Sequence, residues 1–417
     1  MKLSSAAGFR SNESLVRAGR RLGYLICSPI SIGIVLVVWL IRPLLSLKLF
    51  VLPQRIGPLL LAVADHVRGS TAKVSNHKAK LKSPRYLCYA EKTDSVNWAV
   101  VNEFRRDCGW IVLPRLIMVP AMFALRRIGP LSNLEYQQGA EVRETQLVHE
   151  SFGLLRREVS AAQRFSLKLG TQVSIDRPII SWVNRDSKYL EGLGLETSHH
   201  EYRNCSIRNY SMAMSRALSL GYGCIRIGRL TEEPLVLTHE QFLDYSQSDI
   251  RSDKNDLHIA KCSDLLITCA TGIDFLYTLL GVPTVCVNLP TIDARFAHHI
   301  LSLPKHLYVD DGLTTFELPI MALTSRNLKW SGHRPSLWKG LPVRLGENSP
   351  EEIEEALVLA LQLLGDPDER ERHRTMWQPL WADFWMRAKD SNLDETQIGL
   401  RPTLVLPNSA LSRFSSI

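Results

Sequence analysis

An α/β protein of two doubly wound domains behind a basic, apolar leader is predicted by three features of the sequence. Strand-like and helix-like stretches alternate from residue 47 onward, the pattern of parallel strands covered by helices on both faces. The 417 residues exceed one ordinary core, and 45% hydrophobic against 22% charged residues supplies apolar material for two. The same composition excludes a disordered chain, a fibrous repeat and a polytopic membrane protein. Third, the charge is lopsided. Residues 1–48 hold seven basic side chains against Glu13 alone, whereas the remaining 369 hold 43 basic and 41 acidic ones. A basic face for nucleic acid is therefore not expected, and the excess belongs beside the apolar segment.

That segment, Leu22 to Ile41, is 20 residues without a charge, bracketed by Arg20-Arg21 and Arg42. As a helix it reaches about 30 Å, one hydrocarbon thickness. Pro29, Gly23 and Gly33 weaken its first half, and no small-residue cleavage site follows. Membrane contact through residues 22–41, spanning or interfacial, is the expectation, with a core helix as the competing reading.

After the leader, Leu47 to Leu52 reads as a strand, followed by a turn with Pro58 in the first turn of a helix through Val67. Tyr86 to Tyr89 with a helix from Ser95 to Phe104, and Trp110 to Leu113 with a helix to Leu125, give two more such units. A second series opens at Pro178 with the strand IISWV. It continues through a helix closed by Gly221, the strand GCIRI from Gly223, a helix over Lys254 to Cys262, the strand DLLITC from Asp264, a helix from Ile273 to Leu280, and a strand from Thr284. Ser349-Pro350-Glu351-Glu352 reads as a capping box opening a helix to Leu364, and Trp377, Trp381, Phe384 and Trp385 as the core-facing stripe of a last helix. The expected organisation is a leader at 1–46, an N-terminal domain at 47–170, a second domain at 171–348, C-terminal helices at 349–391 and a tail at 392–417.

Eight cysteines lie scattered without a CxxC pair, which reads as reduced, buried thiols. Neither His199-His200 nor His298-His299 has metal-ligand spacing around it, so no metal and no cofactor are expected. Three segments carry candidate chemistry. In 264–285, a strand ends in Ala270-Thr271-Gly272 and enters a helix, an arrangement that offers backbone amides and the Thr271 hydroxyl to a phosphate; a plain tight connection is the competing reading. Asn184-Arg185-Asp186 ends the first strand of the second series, with Arg226 and Arg229 near the end of another strand, so cations would converge on an anion with Asp186 holding Arg185; a structural ion pair competes. Residues 202–210, with Arg203 and Asn204, crowd guanidinium and amide groups before a helix, suiting a polar ligand or a helix cap.

On RDSKYL (185–190), YRNCSIRNY (202–210), GYGCIRIG (221–228), DYSQSDIRSDKNDLHIAKC (244–262), the ATG turn with GVPTVCVN (281–288) and, more weakly, QRIGPLLL (54–61), the chain resembles a family of bacterial glycosyltransferases encoded with surface-polysaccharide genes. The resemblance implies a GT-B-like fold: two Rossmann-like domains facing a central cleft, the N-terminal one on the acceptor side and the C-terminal one binding a nucleotide-activated sugar. It implies donor-side roles for Arg185, Arg203, Asn204, Arg226, Gly228 and Gly272, which Thr271 joins from the residue reading, and cleft positions for Arg55 and Gly57. Two departures stand out. The family has a histidine after Arg-Ile-Gly where this chain has Pro58, and the carboxylate usual in the helix after the donor turn is replaced around Leu276 and Tyr277, with Asp274 nearest. Asp65 and His66, on the helix after Gly57, are the base candidates, against a solvated-helix reading.

The function expected is transfer of a sugar from a nucleotide sugar to a membrane-linked or glycan acceptor at the cytoplasmic face of the inner membrane. One rival is a catalytically inactive nucleotide-sugar-binding protein in a membrane-associated complex. The other is a metal-dependent GT-A transferase, whose acidic pair would be Asp310-Asp311, although Gly312 favours a plain turn there.

Overall fold

A computed structural model describes residues 47–53, 56–71, 85–90, 96–116, 119, 153–155, 167–169, 173–192, 198–290, 299–310, 315–318 and 343–387, with isolated positions 29, 33, 406–407, 410 and 413. Arg55 and the 22–41 segment, Pro29 and Gly33 excepted, lie outside them, as does Asp311. Among the described residues no helix is long and apolar enough to cross a membrane. The chain divides into two compact units at Glu141/Val142.

In the N-terminal unit, β1 (Leu47–Val51), α1 (Ile56–Thr71), β2 (Arg85–Tyr89), α2 (Trp98–Phe104) and β3 (Trp110–Val112) alternate. The three strands form a parallel sheet in the order β1-β2-β3. Asn97 caps α2 by accepting from the Val100 amide at 3.0 Å. Leu59, Val63, Val101 and Phe104 are buried as the helices close over the strands.

The C-terminal unit begins with an antiparallel hairpin, β4 (Leu167–Leu169) and β5 (Val173–Ile175). There follow β6 (Ile179–Trp182), α3 (Lys188–Gly192), two 3₁₀ turns (Ser198–Arg203 and Ile207–Tyr210), α4 (Ser211–Ser219), β7 (Gly223–Arg226) and β8 (Phe242–Asp244). Next come α5 (Asp253–Cys262), β9 (Ser263–Thr268), α6 (Asp274–Leu280), β10 (Thr284–Leu289) and β11 (His299–Pro304). A small antiparallel sheet, β13-β12-β14, is built from β12 (His306–Asp310), β13 (Thr315–Glu317) and β14 (Val343–Gly346). The helices α7 (Pro350–Gly365) and α8 (Pro367–Arg387) close the order.

Six strands form one sheet in the order β11-β10-β9-β6-β7-β8, with every neighbour parallel. The chain therefore steps outward from β6 through β7 to β8, then returns to the other side of β6 for β9, β10 and β11. α4 and α7 pack together over one face, and α5 packs with α6. Ile180, Trp182, Cys224, Val285 and Leu357 belong to the large core beneath α4 and α7. α7 starts at a complete capping box, with Ser349 accepting from the Glu352 amide at 3.2 Å and Glu352 accepting from the Ser349 amide at 2.9 Å. Trp377, Trp381 and Phe384 of α8 are buried in the same core, and so are Leu406 and Ala410 from the 392–417 tail. Residues of α7, of α8 and of the described part of the tail are thus components of this unit's core. Arg413 holds the tail down by donating to the Pro304 and Lys305 carbonyls and to Glu317 and Glu352.

Candidate functional site

In a parallel sheet whose strand order reverses about a central pair, the connections leaving that pair run in opposite directions and leave a crevice beyond the strands' carboxyl ends. Here the pair is β6 and β9. Trp182, the last residue of β6, lies level with Ile267 of β9 and Arg226 of β7, so the loops after all three strands share one rim.

On the β6 side, Asn184 is buried. Its amide nitrogen donates to the Cys205 carbonyl at 3.2 Å and its oxygen accepts from Arg226 at 3.2 Å. Arg185 is half-buried, and its carbonyl accepts from the Cys205 amide at 3.0 Å. Asp186 does not hold Arg185, as the sequence suggested. It accepts from the Lys188 amide at 3.1 Å and the Glu232 amide at 2.8 Å, fastening the loop after β6 to the loop after β7.

On the β9 side, Ala270 sits at φ +63°, a left-handed conformation uncommon outside glycine and found preferentially at functional turns. Thr271 and Gly272 lead into α6. Asp274, fully buried, accepts from the Thr268 hydroxyl at 2.8 Å, from the Thr271 amide at 2.9 Å and from the Thr271 hydroxyl. Burial pushes this carboxyl up to about 6, against the hydrogen bonds from Thr271 and Thr268 and the charge of Arg203. The expectation that Thr271 offers its hydroxyl and amide to a phosphate is thereby corrected: both groups turn inward to Asp274. Gly272 remains on the rim, half-buried.

The 202–210 segment reaches both β6 and β9. Arg203, 6% exposed, donates through Nη2 to the Ala270 carbonyl. Asn204 donates to the Ser187 hydroxyl at 2.8 Å. The Ser206 amide and Asn209 both donate to Glu347 at 2.9 Å, and Cys205, Ile207 and Tyr210 are buried. Much of the polar density read from the sequence as ligand-directed therefore laces this segment over the sheet's end. Ser206 does cap the following turn, accepting from the Arg208 amide at 3.3 Å.

Arg226 requires the firmest correction. It is fully buried, ion-paired to Asp244 at 3.0 Å, and donates to the Glu233 carbonyl at 2.7 Å as well as to Asn184. Its charge is spent inside the fold, so it does not converge on a ligand with Arg185. Gly228 is a packing glycine as well as a turn: a Cβ there would lie 2.8 Å from the Thr231 methyl, and its carbonyl accepts from Arg251 at 3.0 Å. In the N-terminal unit Gly57 occupies the first turn of α1, and Asp65 is half-buried on it. His66 is neither solvated nor placed as a base. It is fully buried, stacked on Tyr86 with ring centroids 3.5 Å apart, and its Nδ1 accepts from the Trp110 indole at 2.5 Å.

One basic residue escaped the sequence reading. Lys305, directly after β11, is buried with Nζ donating to the Asn204 carbonyl at 2.5 Å. The available signal was a lone lysine ending the apolar alternation ILSLP. The seven described cysteines are buried and unbridged, as expected.

No protein-family model matches the chain, and no curated protein matches it. Solved structures that overlap it include E. coli ADP-heptose LPS heptosyltransferase II, at 14% identity over 64% of this chain and 91% of that one, with a TM-score of 0.35. The glycosyl transferase family 9 protein of Veillonella parvula overlaps at 11% identity over 62% and 85%, with a TM-score of 0.34. The iron-containing heptosyltransferase TibC of E. coli, in complex with ADP-D-beta-D-heptose, overlaps at 13% identity over 62% and 61%, with a TM-score of 0.32. At these TM-scores the likenesses assign neither fold family nor activity to this chain.

Proposed function

We propose that the chain is a glycosyltransferase of GT-B type that takes a nucleotide sugar, with the donor's diphosphate at the β6/β9 crevice of the C-terminal unit. The observation that carries this reading is the strand order reversing at β6 and β9 with Arg185 and Arg203 on the loops that border the reversal. When the glycosidic bond breaks, charge accumulates on the leaving diphosphate. Guanidinium groups fixed beside it stabilise the transition state more than the ground state. Arg203 is suited to this because the Ala270 carbonyl fixes its position. Such a site requires no metal, so a chelator leaves turnover unchanged. The sequence resemblance supports the same donor, and the apolar 22–41 segment with its basic flanks supports an acceptor held at a membrane surface.

A second reading, a nucleotide-sugar-binding protein without turnover, is favoured by the burial of His66, which leaves Asp65 alone among the base candidates. Melting the protein against a panel of nucleoside diphosphates and nucleotide sugars tests the shared core of both readings: a donor at about one hundred times its Kd stabilises by about 2.7 kcal/mol. Arg185→Ala should abolish most of that rise. An equal rise in the variant removes Arg185 from the donor site, and binding without transferred sugar in a product assay selects the second reading.

A further inference from the structure

Lys305 is 5% exposed, and its ammonium carries three donors. Among the described residues the Asn204 carbonyl is its one hydrogen-bond partner, and no carboxylate pairs with it. A buried cation without a counter-ion is strongly unfavourable unless an anion arrives to meet it. Its surroundings indicate where such an anion would sit. Asn204 donates to Ser187, beside Arg185 and Asp186. Arg203, the preceding residue, reaches the Ala270 carbonyl at the end of β9, and the Cys205 amide donates to the Arg185 carbonyl. Lys305 through its ammonium and Arg185 through its backbone carbonyl thus both meet the short segment that carries Arg203.

We propose that Lys305 belongs to the anion subsite of the crevice, where its ammonium meets the phosphate groups of a bound diphosphate beside Asn204, together with Arg185 and Arg203. This rests on the reading of the crevice as a donor site. A diphosphate carries more than one negative charge, so a buried ammonium adds what two guanidinium groups leave unbalanced, and the ligand in turn satisfies the two remaining N–H groups of Lys305. The competing role is a structural tie between the end of β11 and the 202–210 segment.

Calorimetric titration of the full chain with inorganic pyrophosphate, and separately with nucleoside diphosphates, distinguishes the two roles. Lys305→Met removes the charge and the tie; Lys305→Gln keeps a donor for the Asn204 carbonyl but no charge; Lys305→Arg keeps the charge. The proposal expects both neutral variants to bind pyrophosphate at least about tenfold more weakly and Lys305→Arg to stay within severalfold of the parent. It also expects Lys305→Gln, without ligand, to melt at or above the parent temperature. Parental pyrophosphate affinity in Lys305→Gln, or no pyrophosphate binding by the parent, overturns the proposal. Pyrophosphate binding that depends on Lys305, with nucleoside diphosphates binding no better, upholds the anion subsite while removing the nucleotide-sugar reading.

Discussion

Two strands of the same sheet close on a buried basic residue, β7 with Arg226 as its last position and β11 with Lys305 directly after it, and the fold treats the two charges differently. At the end of β7, Arg226 meets Asp244, the Glu233 carbonyl and Asn184. After β11, Lys305 meets one carbonyl. In sequence both are a cation closing an apolar run, and nothing local separates them. The distinction lies in β8, which places Asp244 level with Arg226 across the edge of the sheet. A strand-end cation is thus structural or available according to the strand beside it.

The contrast is most exposed to a stability measurement on Arg226→Met. Breaking a buried pair from one side leaves Asp244 uncompensated, and urea denaturation should show a loss of about 3–5 kcal/mol; adding Asp244→Asn should recover part of it. A loss below about 1 kcal/mol would erase the difference from Lys305. The acid side of the question is sharpened by Asp274. Its folded carboxyl lies near 6 against an ordinary 3.8, so the native state keeps a proton that the unfolded chain releases. The contribution of Asp274 to stability should therefore fall as pH rises from about 4 to about 6 and level off above, by on the order of 3 kcal/mol. Asp274→Asn should flatten that segment of a denaturation series, leaving the slope due to Asp256, which burial also raises to about 6. Smallest of all, Arg208 pairs with Glu233 at 2.8 Å, yet its side chain is 80% exposed. Arg208→Ala should change stability by less than about 1 kcal/mol, because solvent already screens that pair.

Local chemistry made much of the framework legible. Periodicity and glycine placed β6, β7, β9 and α6, and Gly221 ends the α4 region at φ +89° as its position suggested. The capping box located α7 at Ser349, and the aromatic spacing of α8 announced its buried stripe. What sequence did not disclose depends on partners far along the chain. β8 is three half-buried residues, too short for a pattern, yet it decides the fate of Arg226. The inward turn of Thr271 depends on Asp274 accepting from it, an oxygen that a helix-start reading leaves free. His66 looked like a helix-surface histidine because Tyr86 and Trp110, which enclose it, come from strands 20 and 44 positions later. Lys305 follows a proline-terminated edge strand that breaks the usual strand signature.

The docking of Leu406, Ala410 and Arg413 has a consequence for how the protein is made. The larger unit cannot seal its interior until those positions clear the ribosome, whereas β1 through β3 have their partners within the first 112 residues. Synthesis therefore exposes an unfinished six-stranded sheet for much longer than the short one, and a nascent chain halted before position 406 would still leave part of that interior uncovered.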